Sequence, residues 1–407
     1  MARDQKRLEY ALAGLAFLAL AAYWPTANFA EMPRWVSVCF VLGLFVLAQP
    51  LLTPSIRVRW TNGHSAAAAL FGWSFLSLAW TPVVYDSLFR LVQLLALLEL
   101  FLLAAELESL KKIYFAAALG LMFSLVVAVP QALGYHPVRS FGGISGLFGN
   151  KNLFGEAAAM LLPVVAWPFA GPVAIAVVLS TSKSALIGVG AAGALRLWHF
   201  NKIAACAVSL AVLAGGLHML GGDRFHDIQP RAILWADGLS SVRPLGWGVG
   251  SFHAVGAMHG YQQSVGKRDT YAHNDLLQLA VELGAIGVGC ALALAAAVAR
   301  APGAQREKYA LVVFAVAGLV GFPFYCPVTA CLAAIMAGHV CGRARLVRDS
   351  VGAGRSADAR GRRHMDFFGT IPGGANLSAR PSHPERAGAA DDKRVAGVPS
   401  DVGVHRL

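Results

Sequence analysis

Apolar residues in this chain come in long runs rather than in the short alternations of a soluble fold. Over the first ~345 residues, stretches of about 17–25 predominantly apolar positions recur, each long enough to cross a hydrocarbon core. Backbone N–H and C=O groups inside lipid need partners within their own segment, so such runs must be helices. Window length and breaker residues predict about twelve of them, near 8–23, 34–52, 65–80, 86–105, 112–133, 153–168, 171–182, 184–197, 202–220, 273–298, 308–325 and 327–342. Several are short, and the pair around 171–197 also reads as a re-entrant unit. The predicted fold class is all-α, a polytopic integral membrane protein of about twelve transmembrane helices occupying residues 1–345.

The placement of Lys and Arg orients these helices. With Arg3, Lys6 and Arg7 in the cytoplasm, alternate short loops hold Arg57 and Arg59, Lys111 and Lys112, Arg196 and Lys202, then Arg300, Arg306 and Lys308. The last run exits into Arg343, Arg345 and Arg348, on the same side. The opposite short loops, near "WPTANFAEMP", "TPVVYD" and "FPFYCP", hold almost no Lys or Arg. Two longer segments then face outward, 134–152 and 221–272. The second is the longest polar interruption between runs, and a long loop in an otherwise lean membrane protein is usually functional. Residues 346–407 are rich in Gly, Ala, Arg, Pro, Ser and Asp without apolar periodicity, and read as a disordered cytoplasmic tail.

Composition narrows the class further. Of 407 residues, 57% are hydrophobic and 14% charged, which is not the make-up of a soluble protein this long. The net charge of +12 fits cytoplasmic loops and tail on anionic membrane lipid better than a nucleic acid partner. The six cysteines lie in or beside apolar runs with no Cys-x-x-Cys pair, so they read as small buried hydrophobes. The first run follows "MARDQKR" and reads as a retained signal anchor.

The chemistry concentrates at the outer ends of the runs. "YAHNDLLQLAVELGAIGVG" (271–289) places His273 at the mouth of an apolar helix. A histidine titrates near neutrality and can act as a general base, and a helix N-terminus disfavours imidazolium. Asp275 opposes that effect. Asn274 suits the helix N-cap, and the plain reading of His273 is an interfacial, solvated ring. Gln278 and Glu282 lie one turn apart and either pair toward the bundle or orient something near the mouth. Gly284, Gly287 and Gly289 predict close packing between helices. The long loop carries Arg224, Arg231 and Arg243, with Arg231 and Trp235 on one helical face and a Gly-rich turn, "RPLGWGVGSF", after them. A single such Arg is ordinarily a headgroup or surface contact. Several together, leading into His273, point to an anionic ligand of the diphosphate kind. Lys183 lies between two apolar runs, where it reads either as a snorkelling side chain or as a functional charge. In "FGNKNLFGE", Asn152 is the expected N-cap of the next helix.

The 271–287 stretch resembles the signature of the O-antigen ligase / O-antigen polymerase superfamily of bacterial envelope glycosyltransferases. That signature runs His, then Asn, Ser or Gln, nine residues, Gly, two residues, and Gly, Thr or Tyr. Here His273, Asn274, Gly284 and Gly287 fill it. The Arg231-x-x-x-Trp235 segment, the turn from Pro244 to Gly250, and "FGNKN" ahead of a run agree with the resemblance, which covers most of 60–345. It implies transfer of a glycan from undecaprenyl pyrophosphate to a hydroxyl of lipid A–core or of another glycan, at the periplasmic face of the inner membrane. His273 would be the base and Arg231 the loop arginine on the diphosphate, with Arg224, Arg243 and Lys183 in support. The family carries an Arg where this chain has Ser182-Lys183-Ser184, so Lys183 keeps the charge but not the fork. The external motifs contain no Asp/Glu-rich cage and imply no cofactor, so the expected reaction is metal-independent and inverting. Ligase and polymerase share the motif. A polysaccharide transporter is the alternative from another class, but it calls for internal repeats and midplane charges that the sequence does not display.

Overall fold

The computed structural model describes residues 2–21, 31–52, 60–138, 143–220, 229–258 and 271–344. The chain divides into Met1–Ala353 and Gly354–Leu407. The expected tail, 346–407, lies outside the described residues, as do Arg224 and the expected loop segments 221–228 and 259–270.

Every long regular element among the described residues is a helix. In chain order these are α1 (Ala2–Ala21), α2 (Glu31–Leu52), α3 (Asn62–Leu76), α4 (Val84–Ala105) and α5 (Lys111–Ala132). Next come α6 (Lys151–Leu161), α7 (Trp167–Ser180), α8 (Lys183–Trp198), α9 (Lys202–Leu220), α10 (Gln229–Ser240) and α11 (Phe252–Met258). The last are α12 (Asp275–Arg300), α13 (Gln305–Gly318) and α14 (Pro327–Ala344). Each of the twelve predicted runs overlaps one of these helices. Among the described residues, however, only α4, α5, α12 and α14 are long and apolar enough to cross a membrane by length and composition.

The shorter helices have visible stops. Helix α6 ends just before Pro163, whose ring removes a backbone donor, after only 11 residues. Helix α13 ends at Gly318 after 14 residues, and a turn over 319–326 occupies the rest of the predicted run. The interruption at 221–272, read from sequence as one polar loop, contains α10 and α11.

Helix α14 sits in the core: Val328, Leu332, Ile335, Met336 and Val340 are all buried. It meets α4 closely, because a Cβ on Gly338 or Gly342 would collide with the carbonyls of Phe101 and Ala105. Helix α1 lies along α5, and Leu20 fills the space over Gly120. Helices α6, α7, α8 and α13 pack together, while α12 lies on α3 and receives α10 near its start. The turn over 319–326, between α13 and α14, faces the beginning of α12, and this junction holds the polar chemistry.

Candidate functional site

Helix α12 begins as its sequence requires. Asn274 is extended, and its side-chain Oδ1 accepts the Leu277 N–H at 2.9 Å, capping the first turn. His273, directly before it, has φ of 51°, in the left-handed region. Its ring meets Phe322 edge-on at 5.0 Å between centroids. Tyr271 stacks on the same Phe322 at 4.7 Å.

Gln278 and Glu282 do pair: Gln278 Nε2 donates to Glu282 Oε1 at 3.0 Å. The other Glu282 oxygen accepts Gly250 N–H at 2.8 Å and Tyr325 O–H at 3.2 Å. Glu282 is 2% exposed, and these three bonds offset the cost of burying its carboxylate.

The glycines of α12 differ from the expectation of helix packing. Gly284 has φ 64° and ψ −161°, a backbone region open essentially to glycine alone, and it interrupts the helix. The Gly-rich turn docks into that break. Trp247 N–H donates to Val281 O at 3.0 Å, Gly248 N–H to Glu282 O at 2.8 Å, and Ala285 N–H to Pro244 O at 2.9 Å. The Trp73 indole takes Leu283 O at 2.8 Å. A broken helix exposes backbone groups that must be satisfied, and the turn over 244–250 supplies most of the partners. A Cβ on Gly284 would collide with Pro244 O, and one on Gly246 with Glu282 O, so each motif excludes side chains from the other. Gly289 faces open space and packs on nothing within 4 Å.

The turn between α13 and α14 gathers the remaining parts. Val320 O accepts Arg231 Nη1 at 3.1 Å, so the arginine predicted from the loop reaches this turn from α10. Phe324 N–H donates to Asp275 Oδ2 at 3.0 Å. Phe324 O accepts Arg90 Nη2 at 3.3 Å, and the Arg90 guanidinium lies 3.7 Å from the Tyr325 ring centroid. Glu156 is 1% exposed, accepts Ser184 O–H at 2.5 Å, and lies within electrostatic reach of Arg231. Ser182 caps α8 by accepting from Ala185 N–H, and its hydroxyl meets that of Ser184 at 3.0 Å. The Ser182-Lys183-Ser184 turn thereby holds Glu156, whose Oε1 also faces Gly321 of the 319–326 turn. Glu156 and Asp275 each have one buried oxygen without a hydrogen-bond partner among the described residues.

His273, Asn274, Glu282, Arg231 and, through Glu156, the Lys183 turn therefore meet around 319–326. Arg243 does not join them; its guanidinium stacks 3.2 Å over the Trp247 ring in the Gly-rich turn. Asn152 is not the N-cap of α6. Asn150 is, accepting Asn152 N–H at 2.9 Å, because the helix already starts at Lys151. Three participants went unread in the sequence: Arg90, Tyr325 and the 319–326 turn itself. Arg90 carried a signal, since an arginine inside an apolar run is costly unless paired. Tyr325 and Phe322 carried none, being ordinary residues of what looked like a short external loop.

Residues 169–293 match the family model described as O-antigen ligase. This match covers about a third of the chain and supports its resemblance to the O-antigen ligase/polymerase superfamily. No curated protein matches the chain. The O-antigen ligase match spans Lys183, Arg231, Trp235, the 244–250 turn and the His273–Gly287 signature. Glu156, Arg90 and the 319–326 turn lie outside it. The superfamily supports ligase- or polymerase-type function in general terms, in a bacterial membrane protein acting on a lipid-linked glycan and an acceptor.

Proposed function

We propose that this chain transfers a glycan from undecaprenyl pyrophosphate to an acceptor hydroxyl of lipid A–core, at the periplasmic face of the bacterial inner membrane. The observation that carries the reading is the shared anchorage of two matched segments. His273 rests on Phe322 and Arg231 on Val320, so a base and a cation from different parts of the family region stand at one turn.

The donor's anomeric carbon bears a lipid diphosphate as leaving group. Guanidinium donors of Arg231 not used on Val320 O stabilise the charge that develops on the departing diphosphate. His273 takes the proton of the acceptor hydroxyl as its oxygen attacks the anomeric carbon. In-line displacement inverts that carbon. Lys183, Arg243 and Arg224 add positive charge around the diphosphate, and Asn274 and Glu282 hold the start of α12. Asn152 contributes through the first turn of α6. The chemistry needs no cofactor or metal. The spanning helices, about twelve with 221–272 as the periplasmic segment, present this end of the bundle outward.

Purified protein offered the lipid-diphosphate donor, with lipid A–core and free glycan acceptors in separate reactions, tests the reading. Product on lipid A–core makes the chain a ligase. Chain extension on glycan alone makes it the related polymerase, which shares the motif from His273 to Gly287. No product with either, from folded protein, defeats the enzyme reading in favour of a transporter.

Two substitutions probe the cations. Arg231→Lys is expected to lower transfer more than tenfold, roughly the 1.4 kcal/mol or more of a lost charge-assisted hydrogen bond, because the ammonium cannot span two oxygens. Wild-type rates in that variant would exclude bidentate diphosphate contact. Lys183→Arg is expected to be tolerated or to raise transfer, since it restores the side chain the family carries there. Full inactivation would break that correspondence.

A further inference from the structure

Two side chains grip the backbone of Ala272, the residue that precedes His273, one at its N–H and one at its C=O. Ala272 N–H donates to Gln278 Oε1 at 3.0 Å, and the Trp235 indole N–H donates to Ala272 O at 2.9 Å. Ala272 is fully buried, and His273 follows it in a left-handed conformation that an L residue holds only when its surroundings over-determine it. The orientation of the Gln278 amide is itself fixed. Its Nε2 donates to Glu282 Oε1, so its Oε1 must face Ala272. Glu282 is locked in turn by Gly250 N–H and by the Tyr325 hydroxyl, whose ring lies beside Arg90.

We propose that Gln278 and Trp235 are positioning residues for His273, which set the direction of its imidazole without touching substrate. The inference rests on the reading of His273 as base. Helix α10 then has two tasks four residues apart. Arg231 anchors it at Val320, and Trp235 anchors it at the peptide before His273, so one rigid helix sets the separation between the cation and the base. An error of about 1 Å in such a separation is enough to cost roughly a hundredfold in rate.

Gln278→Met and Trp235→Phe keep most of the side-chain volume and remove one grip each on Ala272, the first also breaking the bond to Glu282. The readouts are kcat and KM for the lipid-diphosphate donor, and the rate at which diethyl pyrocarbonate modifies His273, followed on its peptide by mass spectrometry. Each variant is expected to lower kcat roughly tenfold to a hundredfold at unchanged donor KM, with thermal unfolding like that of wild type. The His273 modification rate is expected to change in both. Unchanged kcat, or a loss accounted for by less folded protein, overturns the proposal. Should Gln278→Met fail to insert, Trp235→Phe decides alone, because it deletes a donor and leaves an aromatic ring in place. Should wild type transfer to no acceptor, the functional reading fails, and the modification rates judge the positioning separately. Equal rates in wild type and variants would then overturn it.

Discussion

His273→Ala is expected to abolish glycan transfer while the protein still inserts and folds. A positioned general base is worth about a hundredfold to ten-thousandfold. Loss near the upper end is expected, because the alanine offers no alternative proton acceptor and the neighbouring Glu282 carboxylate is buried and already accepts three hydrogen bonds. Asp275 gives one oxygen to Phe324 N–H, and Glu282 is saturated by Gly250, Gln278 and Tyr325. Little loss of stability should accompany it. The His273 ring is half-buried and meets Phe322 edge-on, and alanine in place of histidine leaves the Asn274 cap intact. The measurement is product formed per folded protein from the lipid-linked donor. Normal turnover in the variant would remove the base assignment.

Gly284→Ala is expected to destabilise the fold by roughly 2–6 kcal/mol, the sum of a glycine-only backbone conformation and an overpacked contact. Its Cβ would be driven into Pro244 O and the backbone of the docked turn. Separation of α12 from the 244–250 turn would also strip partners from the carbonyls of Val281 and Glu282. Gly289→Ala on the same helix is the control. Nothing lies within 4 Å of its Cβ position, and alanine favours helix over glycine by about 1 kcal/mol. Thermal unfolding in detergent should therefore fall sharply for the first and hold or rise for the second. Equal unfolding of Gly284→Ala and wild type would mean that the break at 284 is not required.

The contrast between these two glycines shows how far the sequence reaches. Both sit at helical spacing in one apolar run, and spacing alone assigns both to helix packing. The difference comes from a segment more than thirty residues upstream, which enters the helix at one of them and not at the other. Asn150 and Asn152 fail in a smaller way, since either suits an N-cap and only the backbone settles where the helix starts.

What the sequence determined by itself are the features whose causes are local. Run length and apolarity set an all-helical chain. Asn274 set the start of α12, and the four-residue step set the Gln278–Glu282 pair and the common face of Arg231 and Trp235. The family signature, His273 to Gly287, was legible for the same reason, being a single contiguous stretch. Only the tertiary structure decided what these pieces meet. The 319–326 turn receives Arg231 from α10, Asp275 from α12 and Arg90 from α4, through its own carbonyls and N–H groups. Backbone groups are the same at every residue, so a turn that works through them leaves no mark on the amino-acid sequence.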